Sequence, residues 1–185
     1  PLVEIACAVL SATVIWHFGP TIAGVASLLL TWALIALALI DADTQLLPDS
    51  ITLPLLWLGL GFNLYGGFVS LGDAVIGAMA GYMSLRIVYE VFKLLTKKEG
   101  MGFGDFKLLA ALGAWLGWQQ LAVIILLSSV VGSIVGIMLI TLRKHDQQTP
   151  IPFGPYLAAA GWLALLWGTD ISGMYLSQYS APTSL

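Results

Sequence analysis

Of 185 residues, 59% are hydrophobic and only 9% are charged, and the mean hydropathy is +0.94. A soluble domain carries roughly 25% charged residues, so lipid is the solvent this chain is built for. The apolar residues come in runs rather than in an amphipathic stripe, which excludes a peripheral protein with one anchor and leaves an all-α, polytopic transmembrane helical bundle.

Seven apolar segments follow one another, giving six to seven spans. The first covers residues 2–18 and ends at Gly19-Pro20; the second covers 22–40. An acidic loop, 41–50, holds Asp41, Asp43 and Asp49. The third segment runs over 51–64 and stops near Gly66-Gly67, and the fourth over 74–95. A polar loop with glycines, 96–105, closes on Gly102-Phe103-Gly104-Asp105. Two more segments lie between Lys107 and Leu142, turning at Gly117-Trp118-Gln119-Gln120. The first of them is short, so it is tilted, partly re-entrant or shielded by its neighbours. A charged loop from 143 to 150 precedes a last span over 153–168, and a polar tail starts at about 170. The whole chain, 1–185, reads as one membrane-embedded domain.

Charge placement orients the bundle. The seven basic residues are Arg86, Lys93, Lys97, Lys98, Lys107, Arg143 and Lys144, and all but Arg86 fall in or beside two loops. Alternating spans put both loops on one side, which the positive-inside rule makes cytoplasmic. The acidic loop lands there too. The single cysteine, Cys7, excludes a disulfide framework and a cysteine-based zinc site; it reads as a packing residue. Pro1-Leu2-Val3-Glu4 has neither an initiator Met nor a basic leader region, so the chain is read as a fragment whose natural N-terminus lies upstream.

Small residues four apart, Gly77 with Gly81 and Gly132 with Gly136, suit close approach of helix backbones in lipid. Trp16, Trp57, Trp115, Trp118, Trp162 and Trp167 fall near segment ends, as interface anchors do. Arg86 and Glu90, one turn apart, suit an ion pair along a helix face. His17 and His145 lie on opposite sides and do not build one metal site; no metal site is expected.

The residues able to carry chemistry are carboxylates. Asp41 directly follows an apolar run and Asp105 directly precedes one, so both sit where hydration is incomplete. An ionisable group at such a depth is costly and points to function. Two carboxylates held together in such a place do not both ionise readily, and the pair shares a proton. That is acid–base chemistry on water and a carbonyl. Gly102 and Gly104 would free the backbone before Asp105 for unusual dihedrals and close approach of a substrate strand. Asp43 and Asp49 read as solvated loop acids or as turn formers. Lys107 reads equally as a charge near the dyad, a substrate contact or a boundary lysine that snorkels. Two other classes remain on these residues: a proton-coupled transporter, which would hold its acids at mid-span, and a non-catalytic scaffold of a secretion assembly.

Ile40-Asp41, then Pro48-Asp49 and Leu53-Pro54, together with Gly102-Phe103-Gly104-Asp105-Phe106-Lys107, resemble the type IV prepilin peptidases among the membrane-embedded GxGD aspartyl proteases. Pro1-Leu2-Val3-Glu4 and Ile151-Pro152-Phe153-Gly154-Pro155 look like further segments of that family, so the resemblance spans nearly the whole chain. It implies that Asp41 and Asp105 are the catalytic pair, with Asp43, Asp49, Gly102, Gly104 and Lys107 supporting or binding substrate. It implies cleavage of prepilin and type II pseudopilin leaders after a glycine, at the cytoplasmic face of a bacterial inner membrane. Its partners are then those substrates and membrane lipid, with no nucleic acid. Proteolysis needs no cofactor. S-Adenosylmethionine and zinc belong to a full-length protein that also methylates the new N-terminal amine, and the absence of the family's cysteine-bearing segment makes methylation unexpected in this chain.

Overall fold

The computed structural model describes residues 1–97, 102–143 and 152–179, and the regular structure in them is helical. In chain order the helices are α1 (Leu2–Phe18), α2 (Ile22–Thr44), α3 (Asp49–Leu64), α4 (Leu71–Thr96), α5 (Phe103–Leu116), α6 (Leu121–Arg143) and α7 (Gly154–Tyr179). A single 3₁₀ turn, Trp118–Gln120, joins α5 to α6. Each predicted span corresponds to one helix. Among the described residues, α2, α4 and the stretch Trp118–Met138 are each long and apolar enough to cross a membrane unaided. The protein is a multi-pass helical bundle. Lys98, Gly100, Met101, Lys144, His145 and Ile151 lie outside the described residues.

The predicted acidic loop is mostly helix. α2 continues through Asp41 and Asp43 to Thr44, and Asp49 already opens α3, which leaves only residues 45–48 as a turn. Acidic residues in a last turn oppose the helix dipole, so local rules stop α2 at its apolar run. The backbone N–H of Gln45, at φ 56, donates to the Asp41 carbonyl at 2.8 Å and closes the helix in left-handed geometry. Asp105 likewise stands in the first turn of α5 rather than in a loop. The expected tail from about 170 is helical as far as Tyr179.

α5 explains how a 14-residue helix, about 21 Å long at helical rise, serves in a membrane. Eleven of its residues, Asp105–Phe106 and Leu108–Leu116, are buried. α3, α4 and α7 pack around it, so of the three readings open for this segment, shielding is the one the fold adopts. α4 approaches it backbone to backbone. A Cβ on Gly77 would fall on the Gly113 carbonyl, and one on Gly81 would sit 2.6 Å from the Leu109 carbonyl oxygen. The small-residue spacing in α4 is therefore a packing seam.

Trp115 departs from the anchor role expected of it. It is 2% exposed, its indole N–H donates to the Leu55 carbonyl at 2.8 Å, and its ring fills the space where Gly59 has no side chain. Trp16, 91% exposed, keeps the outward position expected of it. At the end of the bundle where α3 and α5 finish, the Asn63 amide donates to the carbonyls of Ala114 (2.8 Å) and Trp115 (3.1 Å). Asp73 there accepts from Ser70, Trp118 and Gln119. These bonds satisfy helix-terminal groups that lipid leaves bare, and they fix the far end of α5. The Arg86–Glu90 pair forms as expected, at 2.7 Å.

Candidate active site

The ends of α2 and the starts of α3, α5 and α7 meet at one end of the bundle. Among the described residues the buried charged side chains are Asp41, 5% exposed, and Asp105, 6% exposed. They come from different helices and lie near enough for the charge of Asp41 to act on Asp105. Asp105 is held by its own turn, with its N–H on the Gly102 carbonyl at 3.3 Å. Its Oδ1 is buried and has no hydrogen-bond partner among the described residues.

Three features bring the two carboxyls together. Gly104 faces Leu47, and a Cβ on it would lie 2.6 Å from the Leu47 Cβ. The bare backbone lets the 45–48 turn close onto α5, which draws the end of α2 toward Asp105. Next, Phe103 and Phe106 flank the Gly104-Asp105 step and lock it to α4: Tyr89 stands 5.4 Å from the Phe103 ring and 5.7 Å from Phe106, and the Arg86 guanidinium sits 5.5 Å from the Phe103 centroid. The third feature is α7. The backbone N–H of Gly154 donates to Asp41 Oδ2 at 2.9 Å, across 113 residues of sequence.

The glycines act through space rather than through dihedral freedom. Gly102 is extended, at φ −78 and ψ 147, and neither it nor Gly104 has a positive φ. The unusual dihedrals expected there are not used, because the need is for room between packed backbones. A Cβ on Gly102 would make only an ordinary 3.7 Å contact with Asp105.

The other sequence candidates stand apart from this pair. Lys107 does not turn to the carboxyls; its Nζ binds both oxygens of Asp49, at 2.6 and 2.7 Å, and ties α3 to α5. Asp43 is exposed at the surface. Gly154 is the residue to which the sequence reading gave no role. Its signal was Phe153-Gly154-Pro155 at a helix start, where a proline has no N–H to leave unsatisfied. Among the described residues, no group of three or more His, Cys, Asp or Glu side chains is placed to hold a metal ion.

The Asp49–Lys107 pair is partly open to solvent, 55% and 29% exposed. A double-mutant cycle with Asp49→Asn and Lys107→Met, read by thermal unfolding, should give a coupling of about 1 kcal/mol or less. A value several times larger would make the pair a structural staple of the site.

Comparison with known proteins identifies the family. Residues 28–137, which contain both buried aspartates, match the type IV leader peptidase family. Over 179 residues the chain is 65% identical to a prepilin leader peptidase/N-methyltransferase of Aeromonas hydrophila, covering 97% of this chain and 62% of that protein. It is 62% identical over 176 residues to the protein of the same name in Pseudomonas aeruginosa, covering 95% and 61%. A Legionella pneumophila protein so named is 46% identical over 179 residues, covering 97% and 62%. The chain thus spans about three fifths of the length of these curated relatives. No solved structure matches it. A match across more than half of its residues, bracketing the two carboxyls that the fold buries together, places this chain in the type IV leader peptidase family.

Proposed function

We propose that this chain carries the peptidase site of a membrane aspartyl endopeptidase that removes leader peptides from type IV prepilins and type II secretion pseudopilins. Asp41 and Asp105 are its catalytic residues. The observation that carries this reading is the convergence of two buried carboxyls from separate helices in an apolar surround. The ionised member takes a proton from water as the water oxygen attacks the scissile carbonyl, and the protonated member donates to the developing oxyanion. The departing amine then receives the proton. The step requires no metal ion. S-Adenosylmethionine and zinc enter this reading only with the methylation that the relatives' names carry.

The basic residues Lys93 and Lys97 at the end of α4, and Lys107 in α5, lie toward the same end of the bundle as the dyad. By the positive-inside rule that end faces the cytoplasm of a bacterial inner membrane. A transporter reading has less support, because the buried acids sit at helix ends rather than at mid-span.

The test is leader cleavage of a purified prepilin by membranes that contain this chain. Asp41→Asn and Asp105→Asn should each be inactive, and full activity in either variant would sink the proposal. A protease acting on a helical segment must unwind it to reach a carbonyl, and a glycine costs a helix about 1 kcal/mol relative to alanine. A prepilin with Leu in place of the glycine before the scissile bond should therefore resist cleavage. Cleavage of that variant at the normal rate would remove helix weakness from the account.

A further inference from the structure

The hydrogen bond from Gly154 to Asp41 joins two residues far apart in sequence at the centre of the site, and nothing in the family match, which ends at residue 137, includes it. We infer that Gly154, at the start of α7, is the positioning residue for Asp41, its bare backbone serving both as donor and as the wall against which the carboxyl is set. The inference rests on the reading of Asp41 as catalytic for its consequence, though not for its geometry.

The donor fixes one oxygen of the carboxyl in direction and distance. Gly154 N–H is among the first of α7, which lack partners within their own helix, so Asp41 acts as a cap supplied by another helix. The partial positive charge of a helix N-terminus adds to the attraction for a carboxylate. Asp41 thereby has a fixed orientation, whereas Asp105 keeps a buried oxygen without a partner among the described residues. The two members of the pair are held differently: Asp105 takes a backbone hydrogen bond from Gly102 in its own helix turn, whereas the donor to Asp41 comes from another helix.

The wall follows from the same atoms. An added Cβ on Gly154 would stand 2.6 Å from Asp41 Oδ2, 3.0 Å from its Cγ and 3.2 Å from its Cβ. Gly154 does not have a positive φ, so an alanine backbone fits there and the exclusion is spatial alone. These three nearest atoms all belong to Asp41, and a methyl group at 154 clears them only by turning the carboxyl or by shifting α7 away from α2. Either movement breaks the 2.9 Å bond.

Gly154→Ala in the full chain, in membranes, should lower kcat for leader cleavage by about 100-fold, the scale of an ångström-sized misplacement of a reacting group. KM should stay within about threefold, because the substrate's binding surface is not the part that moves. Gly61→Ala, whose Cβ would meet nothing within 4 Å, serves as the control and should leave both constants unchanged. An unchanged kcat in a folded Gly154→Ala protein overturns the inference, and so does a loss carried by KM alone.

A stability cycle tests the same contact without reference to activity. Gly154→Ala is compared in the native background and in Asp41→Ala, which removes the Oδ2 and Cγ that the methyl would strike. The fall in Tm caused by Gly154→Ala should shrink to less than half in the Asp41→Ala background. If Gly154→Ala alone does not fold, the double variant should recover folding. An equal penalty in both backgrounds, or failure to fold in both, overturns the inference by showing that Gly154 is required for some other contact. Should Asp41→Asn retain cleavage while the cycle shows coupling, the catalytic reading of Asp41 fails and the positioning contact stands.

Discussion

Asp105→Asn should abolish leader cleavage and leave the bundle folded with an unchanged or higher Tm. The two effects have opposite signs because the same feature produces both. Asp105 is buried beside a second carboxyl, and one of its oxygens finds no partner among the described residues. Asparagine has nearly the same shape and no charge, so it removes the repulsion between the two acids without opening a cavity. Its amide also neither takes a proton from water nor gives one up to a carbonyl oxygen, so it cannot serve as a general base or acid. A single acid–base group contributes about 10²- to 10⁴-fold to a rate, and a dyad that works as one unit loses most of its effect with either member. A loss of at least about 10³-fold is therefore expected in a membrane assay with prepilin. Thermal unfolding in detergent supplies the second readout. An inactive but unfolded variant would count against the account of the site, as would a folded variant with full activity.

The largest structural effect should come from Gly113→Val in α5. Its Cβ would be driven onto the carbonyl of Gly77 and to 3.1 Å from the Ala78 nitrogen, all of them backbone atoms of α4. No flexible side chain is there to swing away, so the two helices must separate. Overpacking commonly costs about 1–3 kcal/mol, and a clash of backbone with backbone belongs at the top of that range or above it. Because α5 carries Asp105 and is bonded at its other end to Asn63, separation at Gly113 should also cost activity. Gly132→Ala supplies the contrast, since its nearest neighbour is the Tyr156 ring at 3.3 Å, a side chain able to shift by a few tenths of an ångström. Thermal unfolding should show a large fall for the first and little change for the second. Equal behaviour would mean that the α4–α5 seam does not depend on bare backbone.

Hydropathy is a local property, and it located each described helix of the bundle in order. It also brought out four acids beside apolar runs, Asp41, Asp43, Asp49 and Asp105, and the resemblance of their motifs narrowed them to Asp41 and Asp105. The apolar runs fell short of the helix ends around them: α2 continues past residue 40 to Thr44, and α5 begins at Phe103. Asp41 and Asp43 oppose the dipole of α2, and Asp41 has a partner that local reasoning does not see, the backbone N–H of Gly154.

The packing was less legible for a physical reason particular to lipid. In water an amphipathic stripe marks the side of a helix that turns inward. In a membrane the outward face is as apolar as the inward one, so α5, the most enclosed helix, reads no differently from the lipid-facing α6. Trp115 and Trp16 look alike in sequence, yet one is a core residue bonded to Leu55 and the other points outward.

What the sequence by itself determined is the solvent this protein lives in, the order of its apolar helices, and a short set of acids at their edges. Tertiary structure alone decided that α5 lies at the centre, that Lys107 belongs to Asp49, and that the start of α7 reaches Asp41. Those outcomes depend on which bare stretches of backbone, at Gly77, Gly104, Gly113 and Gly154, come to face a neighbour. That is a property of pairs of helices, and no single segment carries it.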